Sequence, residues 1–345
     1  CEKIIQKINS SSKPVILVVN KVDYLGLNDQ LYEFYELGLG DPIAISSVNM
    51  LGFGDLLDQL ISYFPEDTDT DSVDEHKPIQ LAIVGRPNVG KSSLTNRLLG
   101  ENRTMVSEIA GTTRDAIDSI YTDEDGTAFN IIDTAGIRKK RSVEDKTLER
   151  YSVLRSIAAI RRCDVALLML DANDGVTEQD TKIAGMIHDE GKAVIIIVNK
   201  WDEVQKETGT FEQYKKQVIN DLKFMSYAPV LFISAKTGQR VQTILQRVKD
   251  VYHTACRRIT TGVLNDVLND AVNSLQPPLQ GGKRLKIYYA TQSDIQPPTF
   301  VLFVNEEKLM FFAYERYLEN FFRKSFDFEG TPLRFVLREK KKEDR

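Results

Sequence analysis

Gly85-Arg86-Pro87-Asn88-Val89-Gly90-Lys91-Ser92, with Ser93 next, stands between the apolar run Ile79-Gln80-Leu81-Ala82-Ile83-Val84 and the segment Leu94-Thr95-Asn96-Arg97-Leu98-Leu99. The octapeptide matches G-x-x-x-x-G-K-[ST], and its flanks read as the strand before and the helix after a P-loop. Glycines let such a loop turn its N–H groups toward phosphates, the helix presents its N-terminus to the same anion, and Lys91 brings a mobile positive charge. Ser92 is then placed to bind Mg2+, so the expected phosphate cradle runs from Gly85 to Ser93.

Three further motifs follow in order. Gly111-Thr112-Thr113-Arg114-Asp115 lies in a stretch without strong periodicity. A threonine hydroxyl on a flexible loop completes a magnesium shell only when a γ-phosphate is present, which makes Gly111, Thr112 and Thr113 candidate switch residues. Ala128-Phe129-Asn130-Ile131-Ile132 reads as a strand delivering Asp133-Thr134-Ala135-Gly136. There Asp133 is placed to hold magnesium through water, and the Gly136 N–H to reach the γ-phosphate. Asn199-Lys200-Trp201-Asp202 ends another apolar run and selects the base. A carboxylate at Asp202 accepts two hydrogen bonds from guanine N1–H and its 2-amino group, whereas adenine offers no matching donors and leaves the charge unpaired. The expected ligand is therefore GTP or GDP, with Lys200 along the base plane and Ser234-Ala235-Lys236 closing over the base edge.

Part of this series occurs twice. Pro14-Val15-Ile16-Leu17-Val18-Val19 ends in Asn20-Lys21-Val22-Asp23, Ile43-Ala44-Ile45 ends in Ser46-Ser47, and a helical pattern follows from Asp55 to Ile61. Asn20, Lys21, Asp23, Ser46 and Ser47 are thus expected to form a second guanine site. Residues 1–64 read as the back half of a nucleotide-binding domain, because two strands and two helices do not cover both faces of a parallel sheet. Its front half is either deleted or outside the given residues. Deletion would expose a large apolar face, which favours the second reading. Residues 65–78 carry six acids and little that is apolar, the composition of a solvated linker.

Composition bounds the rest. The chain has 345 residues, long enough for two or three domains, with 42% hydrophobic and 28% charged residues as in ordinary globular proteins. No apolar run reaches the roughly 18 residues needed to span a bilayer. The three scattered cysteines, odd in number, and three isolated histidines predict a reducing cytosol and no structural metal cluster. Residues 1–78 hold 5 Lys/Arg against 14 Asp/Glu, 79–259 hold 27 against 24, and 260–345 hold 13 against 12. The net −5 therefore conceals a mildly basic remainder that is compatible with a nucleic-acid partner.

Residues 260–345 change character. Val263, Val267, Leu268, Ala271 and Leu275 give a helical stripe, the runs 285–289 and 299–304 read as strands, Met310, Tyr314, Tyr317, Leu318 and Phe321 mark a second helix, and 333–337 a last strand. Their aromatics keep helix and strand periods, as core residues do. The charged tail 340–345 reads as disordered, with a possible electrostatic role on RNA.

The ordered motifs resemble the translation-factor class of P-loop GTPases. Two such domains in tandem and a small α-β-β-α-β domain are more closely similar to the bacterial ribosome-assembly GTPase family Der, also called EngA. That resemblance implies an α/β fold of two G domains, the first incomplete here, each a mostly parallel sheet with helices on both faces, and a KH-like α+β domain. Its bounds would be 1–64, 65–78 (linker), 79–259 and 260–345. It further implies GTP hydrolysis, Mg2+ at Ser92, Thr113 and Asp133, a large (50S) ribosomal subunit and its rRNA as partners, a monomer, and a cytoplasmic location. Ser47 stands where the family has alanine.

Ile137 follows D-T-A-G in place of a water-orienting glutamine, so another group must supply charge at the transition state. In similar GTPases a P-loop asparagine and the loop before the switch threonine hold K+. Asn88 matches that asparagine and residues 107–111 that loop, which implies potassium activation. Arg138-Lys139-Lys140-Arg141 reads either as a solvated loop or as a nucleotide-gated RNA contact. The C-terminal domain lacks the G-x-x-G loop with which KH modules grip RNA, Gly281-Gly282-Lys283-Arg284 being a different pattern, so docking against the G domains is the competing expectation. Two functional alternatives stay open: a nucleotide-gated RNA-binding scaffold, and the GTPase partner of a tRNA-modification enzyme.

Overall fold

The computed structural model describes residues 15–22, 32–35, 37–48, 51–63, 77–100, 118–123, 125–132, 147–205 and 207–339, with the backbone alone over 147–154. Expectations for Asp23, Gly111, Thr112, Thr113, Asp133, Gly136, Ile137 and residues 138–141 lie outside the described residues.

The central unit is built on three consecutive apolar strands, β3 (Ile79–Val84), β6 (Val165–Asp171) and β7 (Ala193–Asn199). Successive side chains of a strand point to opposite faces, and these strands are apolar throughout because both faces are covered. Ile79, Leu81, Ile83, Val165, Leu167, Met169, Ala193, Ile195 and Ile197 enter one core, together with side chains of α3 (Lys91–Gly100) and α7 (Gln242–Ala255). Ala82, Val84, Ala166, Leu168, Leu170, Val194, Ile196 and Val198 enter the other, with α4 (Thr147–Arg162), α5 (Glu178–Asp189) and α6 (Thr210–Asp221). With β4 (Ser119–Thr122), β5 (Ala128–Ile131) and β8 (Val230–Phe232) the sheet has the order β4-β5-β3-β6-β7-β8. All of its pairs are parallel except β4 with β5. Parallel strands place their C-terminal ends, where ligands bind in such sheets, along one edge. Here those ends carry residues 85–92, 199–202 and 234–236.

The earlier copy is smaller. Strands β1 (Val18–Val19) and β2 (Ile43–Ala44) pair in parallel, with the short helix α1 (Tyr32–Tyr35) between them and α2 (Phe53–Ser62) after them. Two strands with few covering elements among the described residues leave Val18 at 36% exposure, whereas β7 is buried throughout. The match between copies extends to the hydrogen-bond register. Val22 N donates to Ile45 O at 3.0 Å as Trp201 N does to Ile233 O at 3.0 Å, and Ile45 N to Val19 O at 2.8 Å as Ile233 N does to Val198 O at 2.9 Å.

The last unit runs α8 (Thr261–Ser274), a small hairpin of β9 (Leu279–Gln280) and β10 (Lys283–Arg284), β11 (Ile287–Asp294), β12 (Thr299–Val304), α9 (Phe312–Phe326) and β13 (Arg334–Glu339). In its sheet β12 is central, antiparallel to β11 and parallel to β13. The aromatics are core as expected, with Phe300, Phe322 and Phe328 buried in edge-to-face contact. The expected stripe on α8 is corrected at both ends. Val263 is 51% and Leu275 49% exposed, while Leu264, with Leu268 and Ala271 at i+4 and i+7, faces the core.

This unit docks on the central one. Val194 N donates to Gly330 O at 2.7 Å and Gly330 N to Tyr227 O at 2.8 Å, so one glycine is bonded in both directions to the edge of the central unit. With φ +78°, an added Cβ there would lie 2.5 Å from Val251 Cγ2, so only glycine fits. Arg323 stacks over the Tyr227 ring at 4.4 Å, and Arg334 Nη2 donates to Asp189 O at 2.9 Å. Val194 is the second residue of β7 and Asn199 the last, about 17 Å further along the strand. Docking and nucleotide loops therefore occupy opposite ends of one sheet.

Candidate functional site

Gly85 leaves β3 with φ +149°, and an added Cβ would meet Met169 O on β6 at 2.5 Å. The loop passes against the neighbouring strand through a gap that only hydrogen fills. Asn88 sits in the left-handed region at φ +66°. Val89 is buried, so its side chain anchors the loop in the core while its carbonyl stays available. Leu94 N bonds to Gly90 O at 3.0 Å, which starts α3 and leaves the first helical N–H groups facing the loop. Lys91 Nζ donates to Gly85 O at 2.7 Å and Arg86 O at 2.6 Å, spanning the cradle it would share with a phosphate. Ser92 is half-buried and Ser93 exposed.

Arg86 does something that its place in the motif does not foretell. Its guanidinium pairs with Asp174 and, at 3.5 Å, with the fully buried Asp180, so only its backbone faces the cradle. The hydrogen bond from Arg86 holds the Asp174 carboxyl below its ordinary range. Asp180 also closes a capping box on α5, accepting from Thr177 N at 3.1 Å and Oγ1 at 2.7 Å.

Base and phosphate loops meet at Asn199. This buried side chain donates from Nδ2 to Val89 O in the P-loop at 2.8 Å and accepts at Oδ1 from Ala235 N at 2.9 Å. One amide thus holds three loops drawn from three strands. Gly90, at φ +99°, permits it, since a Cβ there would lie 2.2 Å from Asn199 Nδ2. Lys200 takes a left-handed backbone at φ +62°, and its ammonium meets Asp171 at the end of β6 at 2.5 Å. Trp201 is buried against Phe232, ring centroids 4.5 Å apart, which carries the following turn and the half-buried Asp202 to the sheet edge. Ser234 Oγ accepts from Thr237 N at 3.1 Å, closing the last loop on itself with Lys236 exposed.

The earlier copy repeats part of this arrangement. Asn20 Oδ1 accepts from Lys21 N at 2.8 Å and Ser47 N at 3.0 Å, Lys21 shares the left-handed backbone at φ +71°, and Ser46 is buried like Ser234. Ser47 replaces the alanine of the other site and adds a hydroxyl bond to the same oxygen at 2.6 Å.

Sequence reasoning missed Asp171, Asp174 and Asp180, which share a single loop-helix segment, and Arg97, whose guanidinium reaches the carbonyls of Ala235 and Lys236. The acid-rich run 171–180 and a lone arginine inside an otherwise apolar helical stripe were the available signals. For a divalent cation the fit is partial but sound. Ser92 lies beside a cradle shaped for phosphate, while among the described residues no cluster of three His, Cys, Asp or Glu side chains forms a metal cage. A shell completed by phosphate oxygens and water suits Mg2+.

Residues 258–338 match the family described as the KH-domain-like C-terminal domain of EngA bacterial GTPase enzymes, and residues 80–200 match the family described as 50S ribosome-binding GTPase. A GTPase Der of Acetivibrio thermocellus is 58% identical across 97% of this chain and 76% of its own length. The chain belongs to the Der family. Another Der, from Ruminiclostridium cellulolyticum, is 54% identical across 99% of this chain and 77% of its own, and one from Alkaliphilus metalliredigens 52% across 99% and 77%. As a Der GTPase the protein binds guanine nucleotide and hydrolyses GTP, and it is of the class that serves ribosome assembly. GTPases of this family use Mg2+. Among the described residues no helix is long and apolar enough to cross a membrane.

Proposed function

We propose that this Der protein is a GTP-dependent assembly factor of the large (50S) ribosomal subunit, acting in the cytoplasm as a monomer and contacting rRNA. The bridging of Asn199 between P-loop and base loop carries the nucleotide-binding part of this reading, because it ties the phosphate cradle and the base-selecting loops into one edge. In this reading Gly85 to Ser93 and Gly136 cradle the phosphates. Ser92, Thr113 and Asp133 hold Mg2+, which neutralises charge on the β- and γ-phosphates when bound. Asn199, Lys200, Asp202 and residues 234–236 select guanine, as Asn20, Lys21, Asp23, Ser46 and Ser47 do in the earlier copy. The units run 1–64, 65–78, 79–259 and 260–345. The docking through Gly330 supports a C-terminal unit that moves with the central one rather than separately.

The test is co-sedimentation of the full chain with large ribosomal subunits in GDP and in a non-hydrolysable GTP analogue, at physiological potassium. Binding at least tenfold stronger with the analogue is expected, a coupling of about 1.4 kcal/mol. Binding indifferent to nucleotide, or absent in both states, removes the 50S subunit from the account.

In this reading Asn88 would help to hold a monovalent cation that supplies charge at the transition state, the role an arginine finger plays elsewhere. Hydrolysis is expected to run on the order of tenfold faster in KCl than in NaCl at equal ionic strength, since transition-state charge dominates phosphoryl transfer. Equal rates in the two salts would dismiss the cation.

A further inference from the structure

Arg97 lies in the second turn of α3, half-buried, one turn past the P-loop serine. Its Nε donates to Ala235 O at 3.2 Å and its Nη2 to Lys236 O at 2.6 Å. Both are charge-assisted bonds from a rigid fork, the kind that orients its partners as well as attracting them. In a planar trans peptide the C=O of one residue and the N–H of the next point in opposite directions. Holding the Ala235 carbonyl toward α3 therefore turns the Lys236 N–H away from α3. Holding the Lys236 carbonyl does the same to the Thr237 N–H.

The destinations of these N–H groups can be followed one at a time. Ala235 N is committed to Asn199 Oδ1 at 2.9 Å, and Thr237 N to Ser234 Oγ at 3.1 Å. Among the described residues no group accepts the Lys236 N–H. A donor held in a fixed direction, within a turn whose neighbours are all engaged, is suited to an acceptor on a ligand. On a guanine edge that acceptor is O6, where adenine carries an amino donor.

We infer that Arg97 is a positioning residue for base recognition, holding the 234–237 turn so that the Lys236 N–H meets the 6-oxo group of the purine. The inference rests on the guanine reading of the site. That reading already closes the 234–236 turn over the base edge; what is added here is Arg97, the side chain on α3 that holds the turn in place. It also links α3, and so the P-loop, to the base loop along a route separate from Asn199.

The test is competition binding to the 345-residue chain, which carries a single P-loop motif. The ligands are GDP, IDP, ADP and the diphosphate of 2-aminopurine riboside, which keeps the 2-amino group and lacks the 6-oxo group and the N1 proton, so each ligand is compared between wild type and variant. Arg97→Ala is expected to weaken GDP and IDP by about tenfold and to leave the 2-aminopurine analogue within about twofold, so that the ratio between them collapses. Arg97→Lys, which keeps the charge and loses the fork, is expected to fall between, and thermal unfolding without nucleotide checks that both variants fold. If Arg97→Ala does not fold, the Arg97→Lys ratio decides alone. Equal weakening of all ligands, or none, overturns the role of Arg97. A wild-type chain that does not prefer GDP to ADP instead overturns the guanine reading beneath it.

Discussion

Gly90→Ala is expected to lower GDP and GTP affinity at the central site by about 10³-fold while the protein still folds. The new methyl would stand 2.2 Å from Asn199 Nδ2, so either the loop or the asparagine must retreat. Retreat breaks the bond to Val89 O, the bond to Ala235 N, or both. A buried amide that loses its partners costs about 1–3 kcal/mol. A non-glycine residue at φ +99° adds about 1–3 kcal/mol of backbone strain. Together these approach 4 kcal/mol, about three decades in affinity, and they fall on the loops that meet the ligand rather than on the core. Calorimetric titration with GDP checks the affinity and circular dichroism the fold. Binding within tenfold of wild type would show that Asn199 has somewhere else to go.

The second large effect is one of exchange rather than loss. Asp202→Asn is expected to reduce kcat/KM for GTP by about 10⁴ while raising it for XTP, whose 2-oxo group accepts from the new amide where guanine offered a donor. The size follows from the asymmetry of buried polar groups, since a site built for two donors leaves an amide mismatched against the guanine 2-amino group. The position of Asp202 supports the assignment, on the turn that Trp201 anchors beneath it. Steady-state hydrolysis with both nucleotides measures it. Retention of the GTP preference would move base selection elsewhere.

Arg97 bears on the second experiment. If it fixes a donor toward position 6, Asp202→Asn will not accept purines lacking the 6-oxo group, and xanthine, which keeps that group, is the substrate the variant should take. The acids of the 171–180 segment act at the other side of the same edge. Asp180 meets Arg86 behind the P-loop and Asp171 meets Lys200 beside the base, so a single connection between β6 and α5 touches both loops.

Much of this protein was legible in its residues. The P-loop reads from Gly85 to Ser92 because its conformation is local, set by Gly85 and Gly90 at positive φ with no room for a Cβ and by the helix that follows. The strands β3 and β7 read as apolar runs because both sheet faces are covered, and the repeat of N-K-x-D reads because each copy stops a strand at the C-terminal end of its sheet. Lys21 and Lys200 share a left-handed backbone in the two copies, a feature found only in the structure.

Other features were decided only when distant segments packed together. Arg86 lies within the phosphate motif, yet its side chain belongs to Asp174 and Asp180, 88 positions away in the nearer case. Arg97 lies within the helix read after the P-loop, and its partners lie 138 and 139 positions further on. The stripe on α8 misplaced Val263 and Leu275 because 3.6-residue periodicity defines a face without stating how wide a neighbour covers it. Local sequence determines backbone conformation and which faces must be buried, since those follow from sterics and apolar area. The direction of a charged side chain is instead set by which carbonyls and carboxylates the folded chain brings within hydrogen-bond reach, and that only the tertiary structure decides.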